Sequence, residues 1–160
     1  MKIIKEYHFY AAHRNQHLTD CRDQKCWNLH GHRYGLKVHF RVQRAVEDAS
    51  GVSTLFGDFD SKVEPFLKDA FDHGLLMDKN DPLSSPLTKF KREDDSGEWH
   101  GLKIKWFDYA TSVENIAFVL FDAITDMGFY IESLELKETD SSTLIYDRTD
   151  FLADKKVYGK

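Results

Sequence analysis

His30-Gly31-His32, with Cys26 four residues ahead of the first histidine, is the part of this 160-residue chain richest in chemistry. Histidines at i and i+2 of an extended segment project from one face, so two imidazoles can reach one metal ion while Gly31 leaves the other side uncrowded. Two ligands do not hold zinc alone. A third candidate, His13, ends the segment Phe9-Tyr10-Ala11-Ala12-His13 and shares the parity of Phe9 and Ala11. If the two segments pair as a hairpin, His13 joins His30 and His32 in a three-histidine set with an open fourth position, the ligand count of a catalytic zinc. A His-x-His pair by itself fits two packed or exposed imidazoles as readily. Here both share the apolar parity, where an unpartnered imidazole costs desolvation.

Cys26 lies in a loop that must return toward those histidines. A thiol near a metal and cations has a lowered pKa and can act as base or nucleophile, although a small buried hydrophobe is the commoner role. Cys21 has no such placement, and the two cysteines form neither a C-x-x-C pair nor a disulfide framework. Asp72-His73 sets an acid beside an imidazole, which suits a proton relay and also arises by chance. Glu138 shares the parity of Leu134 and Leu136, so it is either exposed at the rim or buried to grip a cation or a guanidine-like edge. His8, His17, His39 and His100 read as structural or solvent-exposed.

Strands and helices must hold these groups. Ile3 to His13 reads as a strand, Arg14 to Leu29 as a polar loop, and His30 to Val42 as a second strand with one apolar and one wet face. Val63, Phe66, Leu67, Ala70 and Phe71 predict a helix starting near Ser61, with Pro65 confined to its first turn. Met77 to Gly101 reads as loop and Leu102 to Phe107 as a short strand. Thr111-x-x-Glu114 has the form of a capping box for a helix stopped by Gly128. Phe129 to Glu138 and Thr143 to Arg148 pair back across Asp140-Ser141-Ser142. The expected fold is therefore α+β: a four-stranded antiparallel sheet with two helices on one face, in the order ββααββ.

Composition removes several classes of function. The chain has 41% hydrophobic and 14% aromatic residues and only three prolines, which argues against disorder. The apolar run from Ile116 to Phe121 is far short of the roughly 20 residues of a membrane span. Net charge is −5 and no Lys/Arg run exceeds two, so no nucleic-acid footprint is expected. The segment from Met1 to His8 reads as a strand rather than a secretory leader, making a cytoplasmic location the expectation. One domain over 1–160 is expected, with an insertion at about 77–107.

Taken in order, Tyr7-His8-Phe9-Tyr10-Ala11-Ala12-His13, Cys26-x-x-x-His30-Gly31-His32, Gly57-Asp58-Phe59, Asp72-His73-x-x-Leu76, Glu114-Asn115-Ile116-Ala117 and Glu138-Thr139 resemble the 6-pyruvoyltetrahydropterin synthase superfamily. Within it, the pattern is most similar to the bacterial 6-carboxy-5,6,7,8-tetrahydropterin synthases of the queuosine and 7-deazaguanine pathway. Those enzymes have three residues between Cys and His-Gly-His, as here, whereas the pyruvoyl-forming ones have five.

The resemblance implies that His13, His30 and His32 bind Zn2+ and that Cys26 accepts the proton. It implies that His73, with Asp72 beside it, is the relay group, that Glu138 anchors the aminopyrimidine edge of the pterin and is counted with His73 in the relay, and that Ser112 and Glu114 are substrate contacts. The implied substrate is 7,8-dihydroneopterin triphosphate, whose side-chain hydroxyls the zinc would chelate. The implied products are 6-carboxy-5,6,7,8-tetrahydropterin, acetaldehyde and triphosphate. The family fold, the tunnelling fold, implies a homohexamer built as a dimer of trimers, with active sites between subunits. Two positions depart from the family pattern: Met77 where Asn is usual, and Ser112-Val113 in place of a threonine-bearing approach to Glu114. Competing readings are a pyruvoyl-forming synthase, a noncatalytic pterin- or purine-binding oligomer, and a zinc-stabilised structural domain.

Overall fold

The computed structural model describes residues 1–19, 21–45, 47–90 and 101–159, with the backbone alone at 21–23. The side chain of Cys21, all of His100, and 91–100 of the expected insertion lie outside the described residues.

Strands β1 (Lys2–His13) and β2 (His30–Arg41) form an unbroken antiparallel pair from Lys2↔Arg41 to His13↔His30. Alternation sets the two faces. Tyr7, Phe9, Ala11 and His13 of β1 are buried on the side of Tyr34, Leu36, Val38 and Phe40 of β2, while Glu6, His8, Tyr10, Arg33 and Lys37 point away. β5 (Ile131–Thr139) pairs antiparallel with β2, and β6 (Ser142–Asp147) with β5.

The sheet is larger than the four antiparallel strands expected. β3 (Gly74–Asp78) lies parallel to β1, and β4 (Ile104–Phe107) parallel to β3, giving a mixed six-stranded sheet in the order β4-β3-β1-β2-β5-β6. β3 is buried on both faces: Leu76 faces the main core, and Leu75 and Met77 pack with Ile104 in a smaller cluster against Leu83 and Leu87. The continuous apolar run Leu75-Leu76-Met77 shows no alternation, so Gly74–Asp78 carries no period-2 signal.

Among the described residues four α-helices are present where two were expected, and the chain order is ββαβαβαββα rather than ββααββ. α1 (Phe56–Ala70) begins before Ser61, with Asp58 Oδ2 accepting the N–H of Leu55 at 3.1 Å, and Pro65 therefore stands inside the helix. The short α2 (Ser84–Thr88) and the terminal α4 (Arg148–Tyr158) were not anticipated. Asp147 caps α4 by accepting the N–H groups of Thr149 and Asp150. α3 (Val113–Asp126) is capped by Ser112, whose Oγ accepts the N–H of Asn115 at 3.4 Å, and not by Thr111. Thr111 is committed elsewhere, donating from Oγ1 to the Arg14 carbonyl at 3.1 Å and accepting from His13 at its own carbonyl. Gly128 ends the helix region with φ +91°.

Phe59, Val63 and Leu67 of α1, the buried face of α3 and Phe151 of α4 all join one apolar core on one side of the sheet. No described helix is long and apolar enough to cross a membrane.

Candidate active site

His13 and His30 occupy the last rung of the β1–β2 ladder, and His32 sits opposite Ala11 on the same parity. The ring centroids of His13 lie 4.6 Å from His30 and 5.2 Å from His32, and one ring nitrogen from each of the three falls within 4.8 Å of the others. His13 is buried; His30 and His32 are half-buried.

This donor set fits a metal ion. The Nδ1–H of His13 donates to the Thr111 carbonyl at 2.7 Å, and that of His30 to the Asn28 carbonyl at 2.8 Å. Each carbonyl fixes the tautomer that leaves an Nε2 lone pair free, as outer-shell partners of ligating histidines do. Burial, the largest influence on both, lowers the pKa of His13 and His32 and favours the neutral imidazole that binds a cation. A neutral three-nitrogen set suits zinc, and also nickel, iron or copper.

The histidines open into a cavity of about 610 Å³ that is also lined by Cys26, Lys25, Ser112, Glu114 and Glu138. Cys26 is carried on a 3₁₀ turn spanning Cys21–Trp27. Glu138, near the end of β5, places Oε1 3.6 Å from His13 Nε2 and accepts the hydroxyl of Tyr34 at 3.1 Å. The Ser112 hydroxyl oxygen caps α3, and Glu114 is exposed in its first turn.

Asp72 and His73 are not in this cavity. His73 Nδ1 lies 2.8 Å from Asp72 Oδ2, while Asp72 Oδ1 accepts the N–H of Tyr10 at 2.8 Å. The His73 ring stands beside Tyr10, whose parity on β1 is opposite to that of His13, and its side chain is 78% exposed. The sheet thus separates this pair from the three histidines of the same chain. Partial burial opposes ionisation of Asp72, but the Tyr10 N–H, His73 and Lys103 hold its carboxyl below the usual range. His73 has φ +55°, a conformation that functional residues adopt when their surroundings enforce it.

The sequence reading did not single out Tyr34. It is fully buried, stacked on Phe9 at 4.9 Å and edge-on to His32, and burial beside Glu138 raises its pKa far above the ordinary phenol value. Its parity, four residues after His30, was the available signal.

Solved structures share this architecture. An uncharacterized protein from Wolinella succinogenes superposes with a TM-score of 0.66 at 20% identity, covering 92% of this chain and 98% of its own. The 6-pyruvoyl tetrahydropterin synthase of Caenorhabditis elegans superposes with a TM-score of 0.59, also at 20% identity, over 92% of this chain and 94% of its own. The fold is therefore the α+β tunnelling fold. The family model for 6-pyruvoyl tetrahydropterin synthase matches residues 2–149. The chain belongs to that family, whose members are enzymes of the lyase type. A curated relative, the 6-carboxy-5,6,7,8-tetrahydropterin synthase of Haemophilus influenzae, is 31% identical over 147 residues, 91% of this chain and 97% of its own. The protein of that name from Rickettsia conorii is 28% identical, covering 87% of this chain and 94% of its own.

Proposed function

We propose that this chain converts 7,8-dihydroneopterin triphosphate to 6-carboxy-5,6,7,8-tetrahydropterin, releasing acetaldehyde and triphosphate. The observation that carries the reading is the single cavity holding His13, His30, His32, Cys26 and Glu138, in a chain whose full-length curated relatives bear the carboxy-forming name.

His13, His30 and His32 would hold Zn2+, which supplies Lewis acidity toward the side-chain hydroxyls of the substrate. Cys26, in the wall of the same cavity, takes the proton from the substrate side chain. Glu138 accepts N–H groups of the aminopyrimidine edge, a charge-assisted contact that fixes the pterin ring. Tyr34 keeps one carboxylate oxygen of Glu138 occupied and so orients the other. Ser112 and Glu114 border the opening and contact the substrate there.

Asp72 and His73 relay protons to the cavity of a neighbouring subunit, because the sheet bars them from their own. The assembly consistent with this is the homohexamer of the tunnelling fold, with active sites between subunits.

The deciding experiment incubates zinc-loaded protein with the triphosphate substrate and follows products by mass spectrometry, with acetaldehyde assayed in parallel. Carboxytetrahydropterin with equimolar acetaldehyde is expected. A pyruvoyl product without acetaldehyde would overturn the carboxy assignment, and an unchanged pterin in a metal-loaded protein would turn the cavity into a binding site only.

A further inference from the structure

Two buried carboxylates, Asp78 at the end of β3 and Asp81 just after it, take no part in the chemistry above. Asp81, 2% exposed, accepts the Nε–H of Arg14 at 2.7 Å, and Asp78, 6% exposed, lies 2.9 Å from Nε2 of His17. Their other oxygens are engaged locally. Asp81 Oδ1 accepts the N–H of Leu83, and Asp78 Oδ1 accepts the N–H and side-chain amide of Asn80. Each carboxylate is thus fixed by the chain leaving β3, and each grips a residue of the segment leaving β1.

That segment in turn holds the cysteine. Arg14 donates from Nη1 to the carbonyl of Trp27 at 3.1 Å, and the N–H of Asn15 donates to the carbonyl of Cys26 at 2.8 Å. The Trp27 indole N–H closes back onto the Leu18 carbonyl at 2.9 Å. The successive carbonyls of Cys26 and Trp27 are therefore tied to Asn15 and Arg14 respectively. Arg14 connects the Trp27 carbonyl to the buried carboxylate of Asp81, in the chain that follows β3.

We infer that Arg14, anchored by Asp81, is a positioning residue for Cys26, and that His17 on Asp78 is a second brace of the same loop. A guanidinium can serve a carboxylate with Nε and a carbonyl with Nη1 at once, whereas an ammonium on a flexible stem cannot reproduce that fork. The parallel strands outside the expected sheet thereby acquire a role: β3 delivers the two acids that hold the cysteine-bearing turn against the three histidines. The inference rests on the reading of Cys26 as the proton acceptor. The loop geometry it concerns is measurable without substrate.

The test compares zinc-loaded wild type, Arg14→Lys and His17→Gln. Arg14→Lys keeps a cation beside Asp81 and removes the reach to Trp27, so the buried acid is not left unpaired. Iodoacetamide labelling of Cys26 is followed on its own peptide by mass spectrometry, alongside kcat and KM. In Arg14→Lys we expect kcat to fall on the order of tenfold to a hundredfold with KM within about twofold, and Cys26 to label at least about threefold faster. His17→Gln moves both in the same direction by less. Wild-type labelling and kcat in a folded Arg14→Lys protein would overturn the inference. Should that variant fail to fold, His17→Gln decides, because the His17 side chain is half exposed and wild-type labelling in it would equally overturn the brace. If wild type fails to turn over the pterin, the functional proposal falls while the labelling ratio still judges the brace.

Discussion

The hydroxyl of Tyr34 donates to Oε1 of Glu138 at 3.1 Å, and that same oxygen lies 3.6 Å from Nε2 of His13. One carboxylate oxygen is therefore shared between a buried phenol and a metal-ligand candidate, which leaves Oε2 for a substrate. Removing the phenol hydroxyl frees Glu138 to turn toward His13. Tyr34→Phe is expected to raise KM about tenfold, the effect of losing one hydrogen bond to a charged group, while bound zinc per chain stays unchanged. An unaltered KM would show that Glu138 needs no such orientation.

Cys26 shares the cavity with the histidines without being one of the three donors. Cys26→Ala should abolish measurable turnover and leave metal content at the wild-type level, read by elemental analysis. Loss of the metal with the thiol would instead make Cys26 a ligand.

The sheet between His73 and the cavity has a genetic consequence. Cys26→Ala and His73→Ala are each expected to be inactive alone. Refolded together as mixed oligomers they should regain activity, because some sites then join an intact cysteine from one subunit to an intact histidine from another. Absence of complementation in demonstrably mixed oligomers would mean that each chain relies on its own His73.

The helix-covered core is apolar and closed by Phe9, Phe40, Phe59 and Phe121 without help from the donor set. Chelation should therefore stop turnover while far-UV circular dichroism keeps its native shape, and His32→Ala should lower bound zinc in a folded protein. Unfolding on chelation would point to a structural metal.

Gly74 starts β3 immediately after the strained His73. A Cβ there would come within 2.9 Å of the Phe71 carbonyl oxygen, which accepts the Gly74 N–H. Gly74→Ala is expected to cost about 1–3 kcal/mol, measured as a lowered thermal midpoint. A wild-type midpoint would show that the turn can relax around the methyl.

Much of this arrangement was readable from the residues because it depends on alternation. Phe9, Ala11, His13, His30, His32 and Tyr34 share one face by parity alone, so pairing β1 with β2 was enough to gather the three histidines. β3 was not readable, because Leu75, Leu76 and Met77 are buried on opposite faces and nothing alternates. Met77, at a position where the family pattern has Asn, is simply core on the side away from α1. The choice of Ser112 over Thr111 as cap depended on long-range partners, His13 and Arg14, that no local motif reveals. The separation of Asp72-His73 from the cavity was hidden for the same reason. Adjacency in a motif says nothing about which side of a sheet a turn leaves them on.

The ladder between β1 and β2 also bears on refolding. A slip of one residue in its register would send His30 and His32 to the opposite side from His13, since side chains alternate strictly along a strand. Only correctly aligned molecules can gather the three nitrogens. Any ion titrated into a renatured preparation would therefore count the fraction of chains whose first two strands have zipped in register, before a single turnover is measured.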